Sequence, residues 1–228
     1  MKVSIIVSCF NNTRTATHMS MLCLDHIRKF TDPPYQLIVV DPVPKFPIRD
    51  DYKTLGLEND PDTIWAKFPT DIGYTAGMNK GAELATGEVL VFIQNDVFVR
   101  EHWLPDLLWY IKDGWDVVFP DQVPRSREYV KESYTREHSN EFAKKGGRDA
   151  GLMMITKSAF DKVKWNPELS LLAERDFYER MSKAGIRWID TNKVLITHIM
   201  AATNLEILDT NPNEYEKRMT KDAEAMNK

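Results

Sequence analysis

The sequence predicts a mixed α/β fold, a mainly parallel central sheet flanked by helices. Two observations carry most of this. Val3 to Ser8 and Gln36 to Val40 are short β-branched runs separated by a helical stretch, the pattern of a right-handed parallel crossover. Val89 to Ile93 is apolar at every position, as expected of a strand buried on both faces. That run breaks off in Gln94-Asn95-Asp96, and polar groups at the carboxyl end of a buried strand lie where open α/β sheets bind ligands.

The elements follow in order. After the first strand, Asn11-Asn12-Thr13 supplies turn and N-cap chemistry for a helix over Thr15 to Phe30. Met19, Leu22, Cys23, Ile27 and Phe30 recur there at helical spacing, and Asp32-Pro33-Pro34 stops the helix. Asp41-Pro42 ends the second strand, and residues 42 to 62 read as a loop. Thr63 to Phe68 is a third strand, Thr75 to Ala85 a helix with Gly87 as its C′ residue, and Val89 to Ile93 the fourth strand. Leu104 to Ile111 reads as helix and Asp116 to Phe119 as strand. Residues 120 to 150 are polar and carry both charge signs, so they read as a long loop, a candidate lid or acceptor segment. A strand (Leu152 to Ile155), a short helix (Ser158 to Val163), a helix (Glu174 to Ala184), strands near Trp188 and over Val194 to Thr197, and a charged helical tail from Asn211 complete the chain. Trp109, Trp115, Trp165 and Trp188 are expected in the core.

The bulk numbers narrow the function. The 228 residues are 43% hydrophobic and 28% charged, ordinary for a globular protein, and are expected to form one domain. A net charge of −4 and a pI near 5.8 give no support for a nucleic-acid partner. Cys9 and Cys23 have neither disulfide-framework nor zinc-ligand spacing and are expected to be buried thiols of a reducing compartment. No apolar run approaches the ~20 residues that span a bilayer. The expected location is cytoplasmic.

The stretch Asp71 to Val99, DIGYTAGMNKGAELATGEVLVFIQNDVFV, resembles the nucleotide-sugar-binding half of family 2 glycosyltransferases. Gly73, Gly77, Asn79, Gly81 and Gly87-Glu88 ahead of the apolar strand carry that resemblance, and it runs in order and spacing from Met1 to His198. It implies a single Rossmann-like GT-A domain: a donor half over 1–100, an acceptor and catalytic half over 101–200, and a tail over 201–228. Gln94-Asn95-Asp96 stands where the family has its acidic triplet, with amides replacing the first two acids. Asp96 then falls on the direct metal ligand, while Gln94 and Asn95 are left to bind ribose or sugar hydroxyls. A plain Asn-Asp turn is the other account of these residues. Ser8, Phe10 and Asn11 follow the strand that opens the family's nucleotide pocket. Asp41 falls on the residue that contacts the base, although Pro42-Val43-Pro44 replaces the usual Gly-Ser, and a strand-end turn also explains it. Asp71 would approach base or ribose, and Asn79 or Lys80 would line the donor site. For Lys80 a solvated helix face is the alternative.

The segment Ala173-Glu174-Arg175-Asp176 through Arg180 resembles the family's acidic helix start, with Ala173 replacing the leading acid. The resemblance makes Glu174 the general base that takes the acceptor's proton. Favourable charge at a helix N-terminus is the competing account, and an i,i+4 pair explains Asp176 with Arg180. His198 closes an apolar strand and by resemblance completes the metal site with Asp96; a satisfied core histidine is the alternative. Together these imply an inverting hexosyl- or deoxyhexosyl-transferase. It would use Mn²⁺ or Mg²⁺ and a UDP-, dTDP- or GDP-linked sugar, with a carbohydrate or other hydroxyl acceptor, in a setting such as polysaccharide biosynthesis. Two other readings remain. A nucleotidyltransferase would carry a Gly-rich loop after the first strand, which Ser8 to Arg14 lacks. A non-catalytic carbohydrate- or nucleotide-binding module of the same fold would tolerate the amides at 94 and 95.

Overall fold

The computed structural model describes residues 1–9, 14–42, 60–68, 72–123, 135–137, 151–199 and 212–226. In chain order the elements are β1 (Val3–Ser8), α1 (Arg14–Phe30), β2 (Gln36–Pro42), β3 (Thr63–Phe68), α2 (Tyr74–Leu84), β4 (Val89–Gln94), β5 (Val97–Phe98) and α3 (Trp103–Lys112). They continue with β6 (Val117–Val123), β7 (Thr135–Glu137), β8 (Leu152–Thr156), α4 (Lys157–Val163), α5 (Ala173–Lys183), β9 (Trp188–His198) and α6 (Pro212–Met226).

The strands form one sheet in the order β3-β2-β1-β4-β8-β6-β9-β5, with β7 on β9. From β3 to β4 every pairing is parallel. The chain moves outward from β1 to β2 and β3, then returns through α2 to place β4 on the other side of β1. Strand order therefore reverses between β1 and β4, the topological switch point of an open α/β sheet. Ser8 and Gln94 are partners there and stand side by side at the carboxyl edge. Beyond β4 the sheet is mixed: β8 runs antiparallel to β4 and β6, β9 runs parallel to β6, and β5 and β7 are antiparallel to β9.

Alternation along the buried strands divides the core in two. Ile5, Val7, Val89, Val91 and Ile93 face α1 and α3, packing on Cys23, Leu24, Ile27, Trp103 and Leu107. Ile6, Leu90, Phe92, Phe119 and Met153 face α2, α4 and α5, packing on Met78, Phe160, Phe177 and Met181. Ala225 and Met226 of α6 close the edge of this second layer. The glycines of α2 have a packing reason: a Cβ at Gly81 would stand 2.4 Å from Ile6 Cγ2, so only glycine lets the helix lie this close to β1.

Four expectations change. Gly87 is not the C′ residue of α2: the cap is Ala85 in extended backbone, and Gly87 has no positive φ. It is small because a Cβ would meet Ser4 N of β1 at 2.7 Å and the carbonyl of Lys2, just before β1, at 2.9 Å. The two strands expected near Trp188 and Val194 are one strand, β9, whose partner β6 shifts register between Pro120 and Asp121. β6 itself runs on to Val123, and β7 lies within the stretch expected to be loop; residues 124–134 and 138–150 of that stretch fall outside the described residues. Trp165 and Trp188 are core, but Trp109 is 57% exposed on the outer face of α3, with the Lys193 ammonium over its ring. Among the described residues no helix is long and apolar enough to cross a membrane.

Candidate active site

The end of β4 sends three consecutive side chains three ways. Gln94 continues the face of Leu90 and Phe92, toward α5, and its Nε2 donates to Glu174 Oε1 at 2.8 Å. Asn95 points to the opposite face, where its buried amide donates to Ser20 Oγ at 3.0 Å and to the Ala16 carbonyl at 3.4 Å. Asp96 sits in the turn before β5, buried, with Oδ1 3.2 Å from His198 Nε2. Backbone pairing sets that approach, because Val97 partners His198 and Ile199 N donates to the Asp96 carbonyl at 3.0 Å.

His198 is held on its other side. Its Nδ1 lies 3.1 Å from Gln122 Oε1, and a Cβ on Gly151 would come within 2.6 Å of that ring nitrogen. A carbonyl oxygen can only accept, so this contact calls for a proton on Nδ1 and leaves Nε2 facing Asp96. Among the described residues Asp96 Oδ1 accepts no hydrogen bond. A carboxylate oxygen and an imidazole nitrogen facing each other could share a cation, and a carbonyl behind the other ring nitrogen is the usual support of a metal-binding histidine. The donor set therefore fits a divalent ion. It supplies two ligands only: among the described residues no cluster of three His, Cys, Asp or Glu groups could hold a metal. Phosphate oxygens would have to complete the shell.

Glu174 stands in the first turn of α5 with Asp176. Asp176 is taken by Arg180, whose Nε and second guanidinium nitrogen donate to Oδ2 at 2.8 and 2.5 Å, while the Arg180 guanidinium also bonds the Val163 carbonyl. Arg175 pairs with Glu179 at 3.2 Å. The structure thus separates the two acids of this turn: Asp176 holds the Arg180 that ties α5 to the end of α4, and Glu174 reaches across to the end of β4.

The model of glycosyl transferase family 2 matches residues 4–208 of the sequence. The chain belongs to that family. This glycosyltransferase also superposes on a crystal structure of S. aureus TarS 1-349, with TM-score 0.67 and 16% identity over 98% of this chain and 71% of that one. The same TarS fragment in complex with UDP matches at TM-score 0.67 and 16% identity, covering 91% of this chain and 63% of that chain. Its complex with UDP-GlcNAc gives the same TM-score and identity, covering 86% and 58%. In these two complexes the glycosyltransferase spans less than two thirds of the other chain, and identity this low speaks for shared fold. No curated protein matches it in sequence.

The remaining expected site residues of the glycosyltransferase divide sharply. Ser8 lies at the switch point, buried, beside Gln94. Asp41 is buried at the end of β2, opposite Lys67. Asn79 is engaged by its own fold: Oδ1 accepts from Trp165 N at 3.0 Å and Nδ2 donates to Trp165 O at 2.8 Å, so it brackets the segment after α4 onto α2. Lys80 points to solvent and pairs with Glu83 at 2.7 Å. Asn95 anchors α1. Phe10, Asn11 and Asp71 lie outside the described residues.

Sequence reading missed Gln122, Gly151 and Asp222. Gln122 lies inside the stretch expected to be loop, where the continuation of β6 to Val123 makes it a strand residue, and Gly151 stands just after that stretch, directly before β8. Asp222 sits in a helix rich in charge, where one buried acid has no distinguishing pattern. Behind the site, Cys23 Sγ lies 3.6 Å from the Gln94 carbonyl. Burial pushes its thiol well above the ordinary value, and the nearby Cys9 and Asp96 push it further.

Proposed function

We propose that this family 2 enzyme is an inverting, metal-assisted transferase that moves a sugar from a nucleoside-diphosphate donor to a hydroxyl acceptor. The observation that carries the reading is the Gln94–Glu174 hydrogen bond, which puts a carboxylate at the switch point two residues from the Asp96–His198 pair. Ser8, at the same edge, and Asp41, at the end of the neighbouring strand, are the proposed donor contacts, on the β1–β2 side.

A single displacement needs a base for the attacking hydroxyl and a stabiliser for the departing diphosphate. Glu174 is the proposed base. Gln94 can only donate to the carboxylate oxygen it touches, so it favours the ionised form and fixes the direction from which that carboxylate meets the acceptor. Asp96 and His198 are the proposed ligands of Mn²⁺ or Mg²⁺, which when bound neutralises charge on the diphosphate. The TarS complexes make a UDP-linked sugar the first donor to try. Buried thiols at Cys9 and Cys23 suit a cytoplasmic setting.

The test is incubation with a panel of UDP-, dTDP- and GDP-sugars, with and without Mn²⁺, scored for release of nucleoside diphosphate. Metal-dependent release from one donor class supports the reading. Tight donor binding without any release, in the presence of glycan acceptors, points instead to a binding module.

A further inference from the structure

We propose that Asp222, in α6, is a positioning residue for the base: it clamps the chain segment from which Glu174 projects. The inference rests on the reading of Glu174 given above. Asp222 is fully buried although it lies on a charged helix. Its Oδ2 accepts three backbone N–H groups in a row, from Ser170 at 2.9 Å, Leu171 at 2.6 Å and Leu172 at 2.9 Å. Three successive N–H groups converging on one oxygen make an anion-binding concavity, here filled by a side chain from elsewhere in the chain.

The position of the clamp gives it consequence. Leu172 is the N-cap of α5, and no side chain of its own caps that helix. A helix start without a local cap depends on tertiary partners for its direction. Glu174 follows two residues later, in the first turn. Its carboxylate must meet Gln94 from across the sheet edge, and the segment before it has no regular structure of its own. Asp222 therefore fixes the near end of a short lever whose far end is the base. The contact comes from outside the stretch that the family model covers, since that match ends at residue 208. Apolar contacts of Ala225 and Met226 hold α6 in place, so the carboxylate is delivered by a docked helix.

A purely structural cap would lower stability and leave the folded enzyme's turnover intact. A positioning residue lowers kcat while donor affinity stays, because the diphosphate is held elsewhere. The experiment measures kcat, donor affinity and backbone amide exchange in Asp222→Ala and Asp222→Asn, beside Glu174→Gln. Asp222→Ala is expected to lose about 10- to 100-fold in kcat, the scale of a small misplacement of a reacting group. Exchange should quicken at Ser170, Leu171 and Leu172, with donor affinity unchanged. Asp222→Asn keeps a carbonyl oxygen for the three N–H groups and should fall between; it carries the test if the alanine variant does not fold. Adding Asp222→Ala to Glu174→Gln should cost little more than Glu174→Gln alone. Wild-type kcat in both Asp222 variants, beside a slow Glu174→Gln, overturns the clamp and leaves the base standing. Wild-type turnover in Glu174→Gln overturns the base assignment, and the clamp's purpose with it.

Discussion

The two halves of the sheet use their polar residues differently. In the parallel half, β3-β2-β1-β4, Ser4 and Gln36 bond each other at 2.6 Å and together hold the turn at Thr86-Gly87. Asn79 brackets Trp165, and Asn95 anchors α1. In the mixed half the polar groups at the edge face each other: Asp96 meets His198, His198 meets Gln122, and Glu174 is met by Gln94. These groups of the parallel half brace the fold, and the proposed chemistry gathers at the end of β4, where the second half joins it, with Ser8 and Asp41 as the proposed donor contacts on the β1–β2 side. A polar residue at a strand end is thus ambiguous until its face is known.

The largest test of that contrast is Glu174→Gln. It keeps shape and removes the proton acceptor, so turnover should fall by about 10²–10⁴-fold with donor binding retained. Calorimetry of donor binding beside turnover with acceptor separates the two. Unchanged turnover would move the base elsewhere in the mixed half, though not to Asp176, which Arg180 already holds.

Next in size is the metal edge. Asp96→Asn and His198→Ala should each abolish or strongly weaken Mn²⁺-dependent donor binding. Gln122→Ala, which removes the support of His198 Nδ1, should weaken it by about 10- to 100-fold. A metal titration read by calorimetry, beside a melting curve, distinguishes ligand from core residue. A lowered melting temperature with unaltered metal affinity would make His198 a packed histidine.

The parallel half was legible in the sequence because its elements are local. β1, α1 and β2 follow one another, each with its own period, and the end of β4 is marked by an apolar run stopping at Gln94. Asp96, His198 and Glu174 were proposed from the order of motifs. Their partners were not, because a hydrogen bond between residues 76 or 80 positions apart leaves no local pattern. Successive side chains on a strand also face opposite ways, so three adjacent polar letters could not be assigned separately. That is why Asn95 and Asn79 read as donor contacts while the fold uses both for packing. Asn79→Ala sharpens the point. Trp165 N would lose its acceptor, so stability should fall by about 1–3 kcal/mol. Donor affinity should hold; a selective loss of donor binding without loss of stability would restore Asn79 to the site.

The smallest expected effect concerns the face behind the site. Cys23 lies under the Gln94 carbonyl on the α1 side, and burial raises its thiol well above the ordinary value of 9.0. The raised value belongs to the folded state. The neutral thiol's contribution to stability is therefore complete below the ordinary thiol range and is lost as pH climbs above it, because the unfolded chain ionises first. Cys23→Ala removes the titration. Urea unfolding of wild type and variant at pH 8 and pH 10 cancels the titrations they share, including that of Tyr35, whose hydroxyl burial also raises. The stability advantage of wild type should shrink toward high pH, by at most about 1.4 kcal/mol per pH unit. A gap that does not change would mean the thiolate is hydrated inside the fold. Water would then reach the α1 side of β4, and the division between a dry scaffold face and a working edge would fail at the strand where the two halves meet.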